Sequence, residues 1–134
     1  MRIFLYLFGM FACPIDAFSQ ELPWTWDCSE VLHAQSNETL DNFEITRDEK
    51  FEVTFSRIDQ ENWVMVGNAG IAELITIPGP GVMQFVERSP FGTINVTQIE
   101  IAGTDGVHRA VHSRHPVLLD EIFPSQWLLR CTVR

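Results

Sequence analysis

Apolar residues along this chain recur at a spacing of two, not 3.6. Phe51, Val53 and Phe55 alternate with Glu52, Thr54 and Ser56, the pattern of a strand with one buried and one wet face. Trp24, Trp26 and Cys28 alternate in the same way with Thr25, Asp27 and Ser29. Near the other end, Trp127, Leu129, Cys131 and Val133 alternate with Gln126, Leu128, Arg130 and Thr132. Further strands are predicted over 42–47, 62–67, 71–77, 82–88, 93–101 and 107–113. Turn chemistry separates them: Asn68-Ala69-Gly70, Pro78-Gly79-Pro80-Gly81, Ser89-Pro90-Phe91-Gly92 and Gly103-Thr104-Asp105-Gly106. Glycine supplies positive φ in such turns and proline presets φ near −65°. Strands at this spacing with short turns predict an all-β fold, an antiparallel β-barrel or β-sandwich of about eight strands.

Three places depart from strict alternation. Within 93–101 the apolar phase moves from Ile94 and Val96 to Ile99 and Ile101, which predicts a one-residue bulge near Thr97-Gln98. Glu30 to Asp41 is polar and reads as a long loop with room for a helical turn. Pro116 to Ser125 is apolar but bracketed by prolines, and reads as a packed connection or one helical turn.

The first nineteen residues follow a different logic. Arg2 precedes an apolar run from Ile3 to Ala12, Pro14 ends it, and Ala17-Phe18-Ser19 places small residues at −3 and −1. That order is an export signal, cleaved near Ser19/Gln20 to leave residues 20–134 as one β domain in the periplasm or outside the cell. The apolar run is too short to span a bilayer core of about 30 Å, so no stable membrane span is expected. The alternative use of Cys13, as a lipidated lipoprotein cysteine, lacks the usual leucine: Met10-Phe11-Ala12 precedes it.

Without the signal, two cysteines remain, Cys28 and Cys131, both on the apolar faces of their strands. A disulfide between them would link the first and last strands in a compartment where such bonds persist. Closing a loop of about 100 residues is worth roughly 4–5 kcal/mol in the chain-entropy account.

Charge narrows the partners. The full chain carries a net −9. From Gln20 to Ile75 there are 12 acids against Arg47, Lys50 and Arg57, whereas from Thr76 onward there are 5 of each sign. This balance argues against nucleic acid or an anionic membrane as partner; it serves the solubility of an exported protein or, on a sharper reading, offers a surface to an unknown protein or small ligand of cationic character.

Catalytic chemistry finds little support. Gly-rich phosphate loops, HExxH and CxxC are all absent. Asp48-Glu49 and Asp120-Glu121 read as solvated turn charges. The cluster His108-Arg109-Ala110-Val111-His112-Ser113-Arg114-His115 is the one concentration of functional groups. On a strand, His108 and His112 share a face but lie about 13 Å apart, too far to chelate one ion together. Ser113 adjoins His112 in sequence, but adjacency is not the spatial arrangement that activates a nucleophile. The candidate is therefore a binding patch of His112, Ser113, Arg114 and His115 with Arg109, with no catalytic residue, metal or cofactor assigned. Asn37-Glu38-Thr39 and Asn95-Val96-Thr97 match the glycosylation sequon, and Asn95 falls inside a predicted strand.

The run Ala110-Val111-His112-Ser113-Arg114-His115, followed by Pro124-Ser125-Gln126-Trp127 and Cys131, resembles the ending of small exported bacterial proteins of unknown function. The layout of Cys28, Cys131 and the acidic balance also resembles the C-type lysozyme inhibitors of the bacterial envelope. That second resemblance implies a small secreted antiparallel barrel with a cysteine near each end that binds a cationic enzyme. The Ser-Gly-x-x-Tyr and Lys-Gly motifs those inhibitors insert into the lysozyme cleft have no counterpart here, and Tyr6 is the only tyrosine. Three functional expectations follow: an exported, non-enzymatic binding or interaction domain; a periplasmic inhibitor of a cationic wall-degrading enzyme; and a histidine- or metal-dependent enzyme.

Overall fold

A computed structural model describes residues 22–36, 42–47, 50–89, 92–118, 121–122 and 124–134. The expected export signal and cleavage site, Cys13 and the Asn37 sequon lie outside the described residues. None of the described residues is helical, and no helix among them is long and apolar enough to cross a membrane.

Eleven strands follow in order: β1 (Thr25–Ser36), β2 (Phe43–Thr46), β3 (Glu52–Arg57), β4 (Trp63–Gly67), β5 (Gly70–Gly79), β6 (Val82–Arg88), β7 (Ile94–Glu100), β8 (Val107–His115), β9 (Val117–Leu118), β10 (Glu121–Ile122) and β11 (Ser125–Val133). Neighbours pair antiparallel in the order β11-β8-β7-β6-β5-β4-β3-β1, and β11 also pairs with β1. The sheet thus closes into an eight-stranded barrel, which removes exposed sheet edges at the two chain ends. Strand β11 occupies one edge of β1 from Trp26 to Gln35, so β3 and β2 share the other. Strand β3 takes Thr25–Ser29, and β2 adds an extra strand along His33–Ser36.

Closure rests on the two cysteines. Cys28 stands directly opposite Cys131 in the β1–β11 register, and the two form a disulfide across 103 residues of sequence. Inward positions pack a core of Trp26, Val53, Phe55, Trp63, Met83, Phe85, Ile99, Ala110 and Leu129 around that bond. Trp26 stacks on Trp63 at 5.3 Å, and Phe85 stacks on Phe55 at 5.2 Å. Aromatic pairs at such distances add about 0.5–1.5 kcal/mol beyond burial. His108 Nδ1 donates a hydrogen bond to the Glu100 carbonyl at 2.8 Å, and the ring meets Trp26 edge-on. Gly103 lies flat on the His108 ring; a Cβ there would sit 2.8 Å from it.

The strand β5 is the exception in the wall. Its first half, Gly70–Leu74, pairs only with β4, and its second half, Ile75–Gly79, only with β6. Among the described residues, no residue of β5 has a ladder partner on both sides. The Pro80-Gly81 turn, with Gly81 at φ 74°, then reverses the chain into β6.

Four expectations need correction. The strand β7 pairs with β6 and β8 without a register shift, so there is no bulge at Thr97-Gln98. The phase change arises because Asn95 and Thr97 point inward with Ile99, while Ile94 is exposed. A shift does occur between Glu30 and Leu32 in β1. The stretch from Glu30 is not a loop there: β1 continues to Ser36, because β11 and β2 offer its polar backbone two ladders. The segment from Pro116 contains no helical turn among its described residues, but the two-residue ladder of β9 and β10. Finally, Trp24 and Val133 lie outside the core; Trp24 is 58% exposed and carries the Arg57 guanidinium over its ring at 5.3 Å.

Candidate functional site

Period two splits the histidine cluster between the faces of β8. His112 points into the barrel and is 2% exposed. Arg114, two residues on, shares that phase at the rim, where the wall opens and the side chain reaches solvent. Ser113 points outward and accepts a hydrogen bond from Gln126 Nε2 at 3.1 Å. His115 is also outward and exposed, in register with Ile94. Arg109 lies outside near the opposite end of β8, held by two hydrogen bonds to the Glu100 carboxylate. That guanidinium keeps the Glu100 carboxyl below its usual range through the shared hydrogen bonds. The structure therefore brings His112 and Arg114 together and leaves Ser113, His115 and Arg109 on the outer surface.

What surrounds His112 was not singled out from sequence. Thr97, His112, Trp127 and His33 are successive register partners across β7, β8, β11 and β1, forming one inward row. Thr97 Oγ1 and His112 Nδ1 share a hydrogen bond of 2.7 Å, its direction set by the imidazole tautomer. His33 lies flat against Trp127, with ring centres 4.3 Å apart and planes at 1°. Phe51 crosses from the β3 side and packs on Trp127 at 5.0 Å and on His112 at 5.3 Å. Burial drives the His112 pKa down to about 4, and the nearby Arg114 charge pushes it the same way. At neutral pH His112 is therefore an uncharged donor and acceptor.

Around this row lie polar atoms with no hydrogen-bond partner among the described residues. Asn95, two residues before Thr97 on the same face, donates through Nδ2 to Glu87 Oε2 at 2.5 Å. Its Oδ1 is buried without a partner. Glu30, 6% exposed, stands beside Leu129 in the neighbouring inward row, and its amide donates to the Phe51 carbonyl at 2.9 Å. Its Oε1 is buried and unpaired, as is His33 Nε2. Each such group costs about 1–3 kcal/mol. A fourth unpaired atom, Trp26 Nε1, belongs to the apolar core and stands apart from this group.

Chemically, this end of the barrel offers two carboxylates, an amide oxygen and a neutral imidazole beside a set of stacked rings. Among the described residues no three His, Cys, Asp or Glu side chains are placed to share a metal ion. Among the described residues, the Thr97–His112 pair has no third group in hydrogen-bond reach that would orient the imidazole as a base.

Two signals pointed to these residues. Glu30 continues the inward series Trp26, Cys28, and Asn95 and Thr97 keep phase with Ile99. Both signals are weak, because polar side chains at alternating positions ordinarily mark the solvent face. No protein-family model, curated protein or solved structure matches this chain.

Proposed function

We propose that the protein is an exported, non-enzymatic binding domain whose barrel end at His33, Phe51, Asn95, His112 and Trp127 receives a hydrogen-bond-donating, cationic group. The observation that carries this reading is a pair of unpaired acceptors flanking the His112 row: Glu30 Oε1 and Asn95 Oδ1 are buried with no donor among the described residues. Buried polar groups ordinarily have partners, and those that do not call for an explanation. A guanidinium or ammonium group supplies donors for both oxygens. Formal charge supports the same sign, since Glu30 and Glu87 outnumber Arg114 while His112 stays neutral. Export rests on the signal-like order of residues 1–19 and on a disulfide that persists outside the cytosol.

A second reading makes the cationic group a side chain of a wall-degrading enzyme such as lysozyme. The acidic balance of the chain and a disulfide between its end strands favour it, in line with the resemblance to envelope lysozyme inhibitors.

Titration of the disulfide-intact protein with methylguanidinium, followed by NMR, tests the first reading. Shifts are expected at Glu30, His33 and Trp127, and Glu30→Gln is expected to weaken binding about tenfold, the loss of one charge-assisted hydrogen bond. Unchanged affinity in Glu30→Gln removes the proposal. Micromolar protein added to a lysozyme assay separates the second reading, which fails if the enzyme keeps its full rate. A hydrolase activity abolished by His112→Ala would replace both with an enzyme.

A further inference from the structure

The wall of the barrel is incomplete beside β5. The β5–β6 ladder ends at Ile75 and Val86, although β6 continues to Arg88 and β5 begins at Gly70. Over that corner lies a depression of 590 Å3, lined by Ile71, Ala72, Leu74, Val86, Glu87 and Arg88 among others. The β5 side chains on its outer rim are unusual for a wet face: Ile71 is 74% exposed and Ile75 60%, with Glu73 between them. On the inner side Ala72 and Leu74 are half-buried, so the slot is floored by small and aliphatic groups.

A strand edge without a ladder presents alternating N–H and C=O groups, and the chemistry that matches it is another extended backbone. We propose that this slot binds an extended segment of a partner polypeptide, laid along Gly70–Leu74, with a basic side chain beside Glu73 and aliphatic ones beside Ile71 and Ile75. Charge selects this occupant. Glu73 and Glu87 border the slot against one cation, Arg88, among its lining residues. The surrounding half of the chain, Gln20–Ile75, carries 12 acids and 3 bases. A second copy fits poorly. Antiparallel self-pairing centred on Ala72 would set each Glu73 carboxylate against an Ile71, and would bring together two chains of net charge −9. The proposal is independent of the ligand assigned to the His112 end.

The test uses the intact, oxidised protein and three synthetic seven-residue peptides. One, Ser-Val-Ser-Lys-Ser-Val-Ser, places Lys between two Val residues on one strand face, one replaces that Lys by Glu, and one carries Pro at its third and fifth positions. Amide exchange by mass spectrometry reads the site. The Val-Lys peptide is expected to bind and to slow exchange within Gly70–Leu74, while the Pro peptide, unable to form a ladder, does not bind. Glu73→Lys, a change at an exposed position, is expected to weaken the Val-Lys peptide at least tenfold and to transfer preference to the Val-Glu peptide. An unchanged melting temperature verifies that this variant is folded. Equal binding of the Pro peptide, protection elsewhere in the barrel, or indifference to Glu73→Lys overturns the proposal. Concentration-dependent dimerisation that protects β5 without any peptide overturns it as well, in favour of a second copy.

Discussion

The pairing of β1 with β11 and the passage of β5 between β4 and β6 are both seams in one closed wall, and they are built in opposite ways. Across the first, register runs from Trp26 opposite Val133 to Gln35 opposite Ser125, and a covalent bond crosses it at Cys28 and Cys131. Arg134 adds an ion pair to Asp27 at 3.1 Å. Across the second, each half of β5 holds one neighbour only, and its outer face is isoleucine over a shallow slot. The seam that joins the two ends of the chain must meet the entropy of bringing distant residues together, and is reinforced where that cost falls. The seam at β5 joins near neighbours through two-residue turns, so it closes at little entropic cost and can remain partly unzipped. Most of the polar row belongs to the reinforced side: Thr97, His112, Trp127 and His33 sit on β7, β8, β11 and β1. A binding site gains from that placement, because its groups are held by elements that do not slide.

The largest expected effect comes from removing the reinforcement. Replacing both Cys28 and Cys131 by Ala should lower stability by about 4–5 kcal/mol, the loop-closure value for about 100 residues. Calorimetry under oxidising conditions reads it; a melting temperature equal to the parent's would mean that the ladder alone holds the ends together. Next comes the apolar core that both seams share. Phe85→Ala removes a ring packed against Trp26, Phe55 and Trp63 and should cost about 3–5 kcal/mol in chemical denaturation.

The third effect depends on pH. The folded-state pKa of His112, about 4, lies below its unfolded value of 6.5. Above pH 6.5 neither state binds the proton and stability does not depend on this group. Between pH 6.5 and 4 the unfolded chain takes up a proton that the folded chain refuses, so stability falls on acidification by about 3 kcal/mol in all. His112→Gln should flatten this slope in denaturation curves recorded across that range, and an unchanged slope would assign it to other groups. The smallest effect belongs to β5. Ile75→Thr on its outer face should alter stability by less than about 0.5 kcal/mol, as is usual for exposed positions. Amide exchange in Gly70–Gly79 should be faster than in Trp26–Glu30; equal rates would erase the distinction between the seams.

Much of the architecture was legible from alternation alone. Phe51-Val53-Phe55, the two cysteine-bearing strands and the Gly/Pro turns specify an all-β barrel or sandwich, and their phase places Cys28 and Cys131 on inner faces that can meet. The polar end was not legible, and the reason is physical. Alternation identifies a buried face only when that face is apolar, so inward Asn95 and Thr97 mimic wet positions and the pattern imitates a bulge. Glu30 and His33 resemble loop residues for the same reason. A true bulge, between Glu30 and Leu32, sits where the polar row begins and re-aims His33 toward Trp127. In the histidine cluster, sequence proximity gathered five candidates that a strand distributes over two faces.

The chain by itself determined the strand period, the turn positions and the inward facing of both cysteines, since these follow from side-chain alternation and backbone sterics within a few residues. Tertiary structure decided which polar residues are inside, where β5 changes partners, and which histidines are buried. Those outcomes depend on register between segments far apart in sequence, and register is settled by the sum of packing across the whole barrel, which no local pattern contains.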